Sequence, residues 1–152
     1  MKVYLTFGQV HEHVLSGTVF NKDTVAVFDV EDEATAREIA FKLFGPKWFT
    51  TYTDGTWKRD SIAWLTCSYI NVSDVATWKM SDVTRQTITE LLNDMDGDFY
   101  AFAEEHDSCG ICYSCGELYH EVVEPDAELC KCPHCDKMSV HGMMKAMMEY
   151  NR

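Results

Sequence analysis

The sequence predicts an α+β fold, in which a small mixed α/β domain over residues 1–106 precedes a cysteine-rich part over residues 107–152. Two observations carry this prediction. In the first part, short runs that alternate apolar and polar residues are interspersed with two stretches that have the period of a helix. In the second part, six of the seven cysteines fall between positions 109 and 135, and a short helical pattern ends the chain.

The first elements follow from alternation and from capping signals. Residues 2–8 and residues 25–30 are rich in β-forming side chains, so both are predicted strands, with a polar loop between them. Asp32 is a suitable N-cap for a helix that ends at Gly45, because Pro46 cannot continue it. The predicted apolar face of this helix consists of Ala34, Ile39, Ala40, Leu43 and Phe44.

Three further extended segments are predicted after this helix. Residues 48–53 indicate a strand, and Asp54 with Gly55 indicates a hairpin turn into residues 56–58. Residues 62–70 indicate one more strand, although they alternate less regularly.

A second helix is predicted to begin at Ser81 and Asp82 and to end before Gly97. Residues 99–105 are then expected to continue as a strand or a helix. The apolar side of the second helix consists of Ile88, Leu91, Leu92 and Met95.

Two Cys-x2-Cys pairs in the second part have the spacing of a metal site. The pairs are separated by sixteen residues and consist of Cys112, Cys115, Cys132 and Cys135. Two intervening residues allow one tight turn to direct both sulfurs at one ion, and four thiolates form the usual closed shell of a structural zinc site. Gly116 accommodates a positive φ after the first pair, and Pro133 fixes φ in the second turn.

Several alternatives remain open for these cysteines. Cys109 and Cys130 are also candidates to replace one ligand each, to form a disulfide, or to stay free. An iron centre uses the same thiolates as zinc. The remaining thiol, Cys67, lies in an apolar run and is expected to be buried and inert.

The cysteine-rich segment resembles the zinc-ribbon family over residues 109–137. The apolar alternation at Leu118, His120 and Val122 and the turn at residues 124–126 predict a β-hairpin with one cysteine turn at each end. The resemblance implies structural Zn²⁺ and says little about function.

A second resemblance concerns residues 1–53, which are similar to small orphan bacteriophage proteins of unknown function. It implies a viral origin and no particular chemistry. The residues that carry it are residues 4–8, His11, His13, Gly17, residues 36–41, Phe44, Gly45 and residues 47–52.

The net charge of −12 at pH 7 disfavours nucleic-acid backbones as partners at long range. The charge serves either solubility alone or a surface for a basic partner, which includes a mimic of nucleic-acid charge. No apolar run approaches the roughly 20 residues of a membrane span, and residues 1–7 are unlike a signal peptide. We therefore expect a cytoplasmic protein without a membrane partner, in the host cytoplasm if the chain is viral.

Two other patterns suggest metal ligands. His11 and His13 form a His-x-His pair, which opens several hydrolase sites, but the chain is too short for the barrel of those enzymes, so polar loop histidines are expected. Acidic residues at positions 1, 3, 5 and 12 of a calcium loop are matched by Asp94, Asp96, Asp98 and Glu105. The sixth position holds Phe99 instead of glycine, which favours an acidic helix and turn.

Two patterns suggest macromolecular partners. Aromatic and cationic residues alternate at residues 47–49, Tyr52 and residues 57–59, as single-stranded nucleic acid requires, although tryptophans in strands usually fill a core. Four methionines at helical spacing form a C-terminal stripe that either packs on the ribbon or binds a partner: Met143, Met144, Met147 and Met148.

These observations favour an acidic zinc-binding interaction protein that docks on a basic host protein, such as a nuclease, a repressor or part of a polymerase, and modulates or inhibits it. Its expected contact residues are Asp94, Asp96, Asp98 and the methionine stripe. The alternatives are a nucleic-acid-binding zinc ribbon and a small metal-dependent enzyme that uses His11 and His13. An enzyme is the less favoured class, because no catalytic nucleophile or nucleotide-binding motif is recognisable.

Overall fold

The computed structural model describes residues 1–120 and 123–152, apart from the side chains of residues 99, 100 and 103. Val122, which entered the hairpin prediction, lies outside the described residues, as does the side chain of Phe99. The chain forms two compact units, Met1–Val75 and Ala76–Arg152. Residues 76–106, which composition had grouped with the first part, therefore pack within the second unit.

The first unit is built on a four-stranded sheet in the order β5-β1-β4-β6. In this sheet β1 is antiparallel to both of its neighbours, whereas β4 and β6 are parallel. A separate two-stranded sheet, β2-β3, occupies the stretch that we had expected to be a polar loop. The strands are β1 Lys2–Thr6, β2 His13–Leu15, β3 Thr18–Phe20, β4 Thr24–Asp29, β5 Thr50–Thr53 and β6 Ser68–Asn71.

Helix α1, Glu33–Phe44, confirms both predicted ends. The backbone N–H of Thr35 donates to Asp32 Oδ1 at 2.7 Å, and Gly45 follows the helix with φ of 59°. Four of the five predicted apolar-face residues are buried, while Ala34 is exposed and Ala36 takes its place. The Phe44 ring contacts the Phe7 and Phe20 rings at centroid distances of 5.0 and 5.2 Å, which anchors α1 in the core.

Two strand predictions after α1 were wrong in extent. Residues 56–58 form no second hairpin strand. The backbone N–H groups of Thr56 and Trp57 both donate to Thr53 O, at 3.0 and 2.8 Å, and these bonds close a turn instead. Strand β5 pairs with β1, far away in the sequence. The strand predicted over residues 62–70 is confined to β6, since turns occupy residues 62–66.

In the described part of the second unit, the chain forms three helices and a sheet. The helices are α2 Asp82–Asp94, α3 Phe99–Glu105 and α4 Met143–Tyr150. Ser81, the predicted start of the second helix, is the N-cap of α2, since its hydroxyl accepts from the backbone N–H of Thr84 at 3.3 Å. One buried core cluster of this unit consists of Ile88, Phe102, Ile111, Tyr113, Met143, Ala146 and Met147.

The sheet of the second unit has the order β8-β7-β10-β9, and all of its pairings are antiparallel. Each Cys-x2-Cys turn joins two strands of one hairpin, β7 to β8 and β9 to β10. The predicted single hairpin between the turns was wrong, because the segment between the cysteine pairs connects two hairpins. The strands are β7 Gly110–Cys112, β8 Leu118–Tyr119, β9 Cys130–Lys131 and β10 Met138–Gly142.

None of the helices in the described part of the chain is long and apolar enough to cross a membrane.

Candidate metal centre

Two turns of matching geometry, here called knuckle 1 (residues 112–117) and knuckle 2 (residues 132–137), carry the four cysteines. In each knuckle the first cysteine exchanges backbone hydrogen bonds with the residues that follow the second cysteine. These bonds are Gly116 N to Cys112 O at 2.9 Å, Cys112 N to Glu117 O at 3.0 Å, Asp136 N to Cys132 O at 2.8 Å and Cys132 N to Lys137 O at 2.8 Å. The repeat of this pattern places the two cysteine pairs in equivalent local frames.

Both knuckles require a left-handed residue directly after the second cysteine. Gly116 has φ of 74°, as predicted, and Asp136 has φ of 64°. Aspartate tolerates this region better than most residues with a Cβ atom. A Cβ atom at Gly116 would also lie 3.0 Å from side-chain atoms of Val83 and Thr87, so α2 packs tightly over knuckle 1.

The four sulfur atoms lie at the separations that a tetrahedral ion requires. Across the two knuckles, Cys112 Sγ lies 3.7 Å from Cys135 Sγ, and Cys115 Sγ lies 3.9 Å from Cys132 Sγ. All four sulfurs are within 4.8 Å of one another. A tetrahedron with Zn–S bonds of about 2.3 Å has an edge of about 3.8 Å, so the cluster has the donor set and the size to hold one metal ion.

The other cysteines lie outside this cluster. Cys109 Sγ lies 3.8 Å from His120 Nδ1, and the Cys130 thiol is directed at Glu128 O at 4.0 Å. All seven cysteines are free thiols, and the sulfur separations above are far longer than the roughly 2 Å of a disulfide. The ligand set chosen from the spacing is thus the set that the fold brings together. Cys67 is half-buried, and burial raises the pKa of its thiol.

The protein environment acts differently on individual thiols. Burial raises the pKa of Cys115 to about 12, and it also raises the pKa of Cys132. At Cys135 burial acts in the same direction, but hydrogen bonds from the Lys137 backbone N–H and the Ser139 hydroxyl outweigh it and lower the pKa to about 7. Polar hydrogens directed at sulfur stabilise the thiolate, which is the form that binds metal.

Helix α2 ties knuckle 1 to the core of the second unit. The fully buried Thr84 hydroxyl donates to Cys112 O at 2.9 Å, and the backbone N–H of Ser81 donates to Tyr113 O at 3.1 Å. The Tyr113 ring stacks on His141 at a centroid distance of 3.8 Å. The sequence contained no signal for these contacts, since they join segments about thirty residues apart.

In the part of the chain that the structure describes, no third potential ligand converges on the His11 and His13 pair. His13 Nε2 donates to Lys47 O at 2.7 Å, and its ring packs at 5.1 Å from Phe44. Among the described residues, the only group of three or more potential ligands that converges is the cysteine cluster. The expectation of ordinary loop histidines needs one correction, because His13 lies in β2.

The acidic residues of the calcium pattern do not converge either. Asp94, Asp96 and Asp98 are exposed, and Asp98 Oδ1 accepts from the backbone N–H of Ala101 at 3.1 Å, at the start of α3. Helix α3 occupies the positions that a calcium loop would need, up to Glu105. An acidic helix end and turn, the favoured interpretation, accounts for this segment.

The two tryptophans of the nucleic-acid pattern pack against other side chains. Trp48 contacts the Phe41 ring at 5.1 Å and the Arg37 guanidinium at 5.2 Å, and Trp57 contacts Trp64 and tyrosines. The Trp57 ring stacks on Tyr4 at 4.9 Å and lies 5.2 Å from both Tyr52 and Trp64. The guanidinium of Arg59 lies over the Tyr69 ring at 4.6 Å. These rings therefore pack on protein, whereas Phe49 of the same pattern is 67% exposed.

The methionine stripe divides into two pairs. Met143 and Met147 are fully buried in the core of the second unit, as expected of packing residues. Met144 and Met148 are 43% and 58% exposed and form the accessible part of α4.

No protein-family model, curated protein or solved structure matches the chain. Geometry alone therefore identifies the four-cysteine cluster as a candidate metal centre. The likeness of residues 1–53 to bacteriophage proteins stays a prediction.

Proposed function

We propose that this protein is an acidic zinc-binding interaction protein, in which a structural metal holds the second unit together and an acidic surface of that unit docks on a basic partner. The observation that carries the proposal is the convergence of the four cysteine sulfurs within 4.8 Å. The partner is a protein of the host cell if the chain is viral, and docking modulates or inhibits that protein.

The donor set favours a structural role for the metal. Four thiolates fill a tetrahedral shell and leave no position for a water or a substrate. Cys112 and Cys132 are fully buried, and the other two ligands are half-buried. Iron takes the same shell, so metal analysis must separate the two ions.

The negative charge is concentrated in the unit that carries the cysteines. Residues 1–75 contain seven Lys and Arg against ten Asp and Glu, whereas residues 76–152 contain six against fifteen. The second unit thus has a net charge of −9, and four thiolates around one Zn²⁺ add about two more negative charges. A surface of this sign attracts basic proteins and repels nucleic-acid backbones.

The proposed contact residues lie at the surface of this unit. Asp94, Asp96 and Asp98 are exposed around the end of α2. Met144 and Met148 offer adaptable apolar contacts on α4.

Metal analysis tests the first half of the proposal. Protein purified without chelator is expected to contain about one equivalent of zinc and little iron. Cys132→Ser should abolish metal binding, whereas the neighbouring control Cys130→Ser should retain it, since Cys130 lies outside the cluster. Oxidised thiols with less than half an equivalent of either metal would refute the site.

Capture from the host, followed by association kinetics, tests the second half. A basic partner should associate several-fold more slowly as salt rises from low to physiological levels, because steering is screened within about 8–10 Å. Neutralising Asp94, Asp96 and Asp98 to asparagine should slow association. The control Glu12→Gln, Asp29→Asn and Asp60→Asn changes the net charge equally at exposed positions of the first unit and should have little effect.

Two results would contradict docking of this kind. One is a captured partner that is acidic, or whose binding ignores both salt and the three aspartates. The other is tight, salt-dependent binding to oligonucleotides near 0.15 M salt, which would favour the nucleic-acid-binding alternative.

A further inference from the structure

Ser139 is a fully buried polar residue beside the cysteine cluster. It lies in β10, where the pairing with β9 shifts register between Met138 and Val140. In regular β-structure, successive side chains point to opposite faces of the sheet. Ser139 and Val140 are successive residues, yet both adjoin the cysteine cluster. Val140 packs with Cys112 and Cys132, and the Ser139 hydroxyl is directed at sulfur. Bulges commonly re-aim a side chain in this way.

The hydroxyl of Ser139 reaches both knuckles. Its Oγ atom lies 3.0 Å from Cys112 Sγ in knuckle 1 and 3.8 Å from Cys135 Sγ in knuckle 2. Two other acceptors compete for the hydroxyl proton, Lys137 O at 3.4 Å and Cys135 Sγ at 3.8 Å, and both are more distant than Cys112 Sγ. A thiol can donate to the hydroxyl, but a thiolate only accepts, so the serine must be the donor once the sulfurs bind a metal.

We propose that Ser139 is a positioning residue of the metal centre, whose hydroxyl donates to Cys112 Sγ and links the two knuckles. This role rests on the proposed metal site. The other polar hydrogens near the sulfurs that the structure identifies, such as the Cys115 N–H, which lies 3.5 Å from Cys112 Sγ, belong to the backbone. Substitution of Ser139 can therefore change the hydrogen bonding of the metal centre without changing a ligand.

A hydrogen bond draws electron density from a thiolate and thereby changes its bond to the metal. Loss of the hydroxyl in Ser139→Ala should make Cys112 a stronger electron donor. With Co²⁺ as the probe, the sulfur-to-cobalt charge-transfer band should then shift to lower energy. Loss of an outer-shell partner typically lowers metal affinity roughly 10–100-fold, so Co²⁺ should transfer faster to a competing chelator.

Two variants serve as controls. Ser139→Thr retains a hydroxyl and should restore the wild-type band. Ser114→Ala removes a hydroxyl from a half-buried residue of knuckle 1 and should leave both the band and the transfer rate unchanged, because the described part of the chain shows no hydrogen bond from Ser114 to sulfur. A loss of packing alone would weaken binding without moving the band, and that result would contradict the proposed role.

A measurement on the unaltered chain keeps the proposal testable even if Ser139→Ala does not fold. In protein loaded with ¹¹³Cd²⁺, the hydroxyl proton of Ser139 should correlate with the metal nucleus through the hydrogen bond to Cys112. Correlations from backbone amide protons alone would overturn the role of Ser139 while leaving the metal site intact. Failure of the unaltered protein to bind Cd²⁺ or Co²⁺ would overturn the proposed site and this role together.

Discussion

Removal of the metal should unfold the second unit, Ala76–Arg152, and leave the first unit, Met1–Val75, folded. The reason is that knuckle 1 is not an isolated appendage. Thr84 and Ser81 join it to α2, and Tyr113 lies in the same core as α4. If the ion is lost, the four sulfurs lose the bonds that hold the two knuckles together, and these contacts must then keep knuckle 1 in place without that restraint.

The magnitude favours complete unfolding over local loosening. Domains are typically stable by about 0.05–0.15 kcal/mol per residue, which corresponds to about 4–12 kcal/mol for a unit of this length. Binding of structural zinc contributes about 10–16 kcal/mol at pH 7 in zinc-finger peptides. The metal term is therefore as large as the whole expected stability of the unit.

Circular dichroism and tryptophan fluorescence together can measure this outcome. The second unit contains the three helices α2, α3 and α4, whereas the first unit contains α1, so a strong chelator should remove most of the helical signal. Three of the four tryptophans, Trp48, Trp57 and Trp64, lie in the first unit, so most of the fluorescence should persist. Re-addition of Zn²⁺ under reducing conditions should restore the helix.

Either of two results would refute this reasoning. Retention of the helical signal after verified metal loss would mean that the core of the second unit is stable without the ion. Parallel loss of helix and tryptophan signal would mean that the two units do not unfold independently.

Three further outcomes follow from individual residues. Thr84→Val removes the buried hydrogen bond to Cys112 O, so it should lower the free energy of unfolding of the metal-bound unit by about 1–3 kcal/mol. Denaturant titration measures this change, and an unchanged midpoint would contradict the coupling of α2 to knuckle 1. Gly116→Ala should cost more stability than Gly97→Ala. Both residues have φ of 74°, but only Gly116 has atoms within 4 Å of the added Cβ. Equal costs would show that only the backbone strain at positive φ matters. Burial raises the pKa of Cys115 to about 12, so this thiol is protonated at pH 7 without metal. Zinc binding should therefore release protons, which calorimetry in buffers of different ionisation enthalpy can detect, and zinc affinity should fall as the pH falls. Binding that is independent of pH would contradict thiolate ligation.

Local patterns in the sequence were sufficient to identify the four cysteines that converge and several element ends. The two Cys-x2-Cys pairs identified the four sulfurs that converge, because ligand spacing within a turn is a local property. The same holds for the caps at Asp32 and Ser81, whose hydrogen bonds span three residues. The positive φ of Gly116 was likewise predictable from its place after the first pair.

The tertiary structure alone decided which segments are partners. Strand β5 pairs with β1 and not with residues 56–58, and the helical segment after Val75 packs in the second unit. The bulge that directs Ser139 at Cys112 also depends on β9. Each of these outcomes is set by contacts between residues far apart in the chain, whose packing energies exceed the weak local preferences that a periodic pattern records.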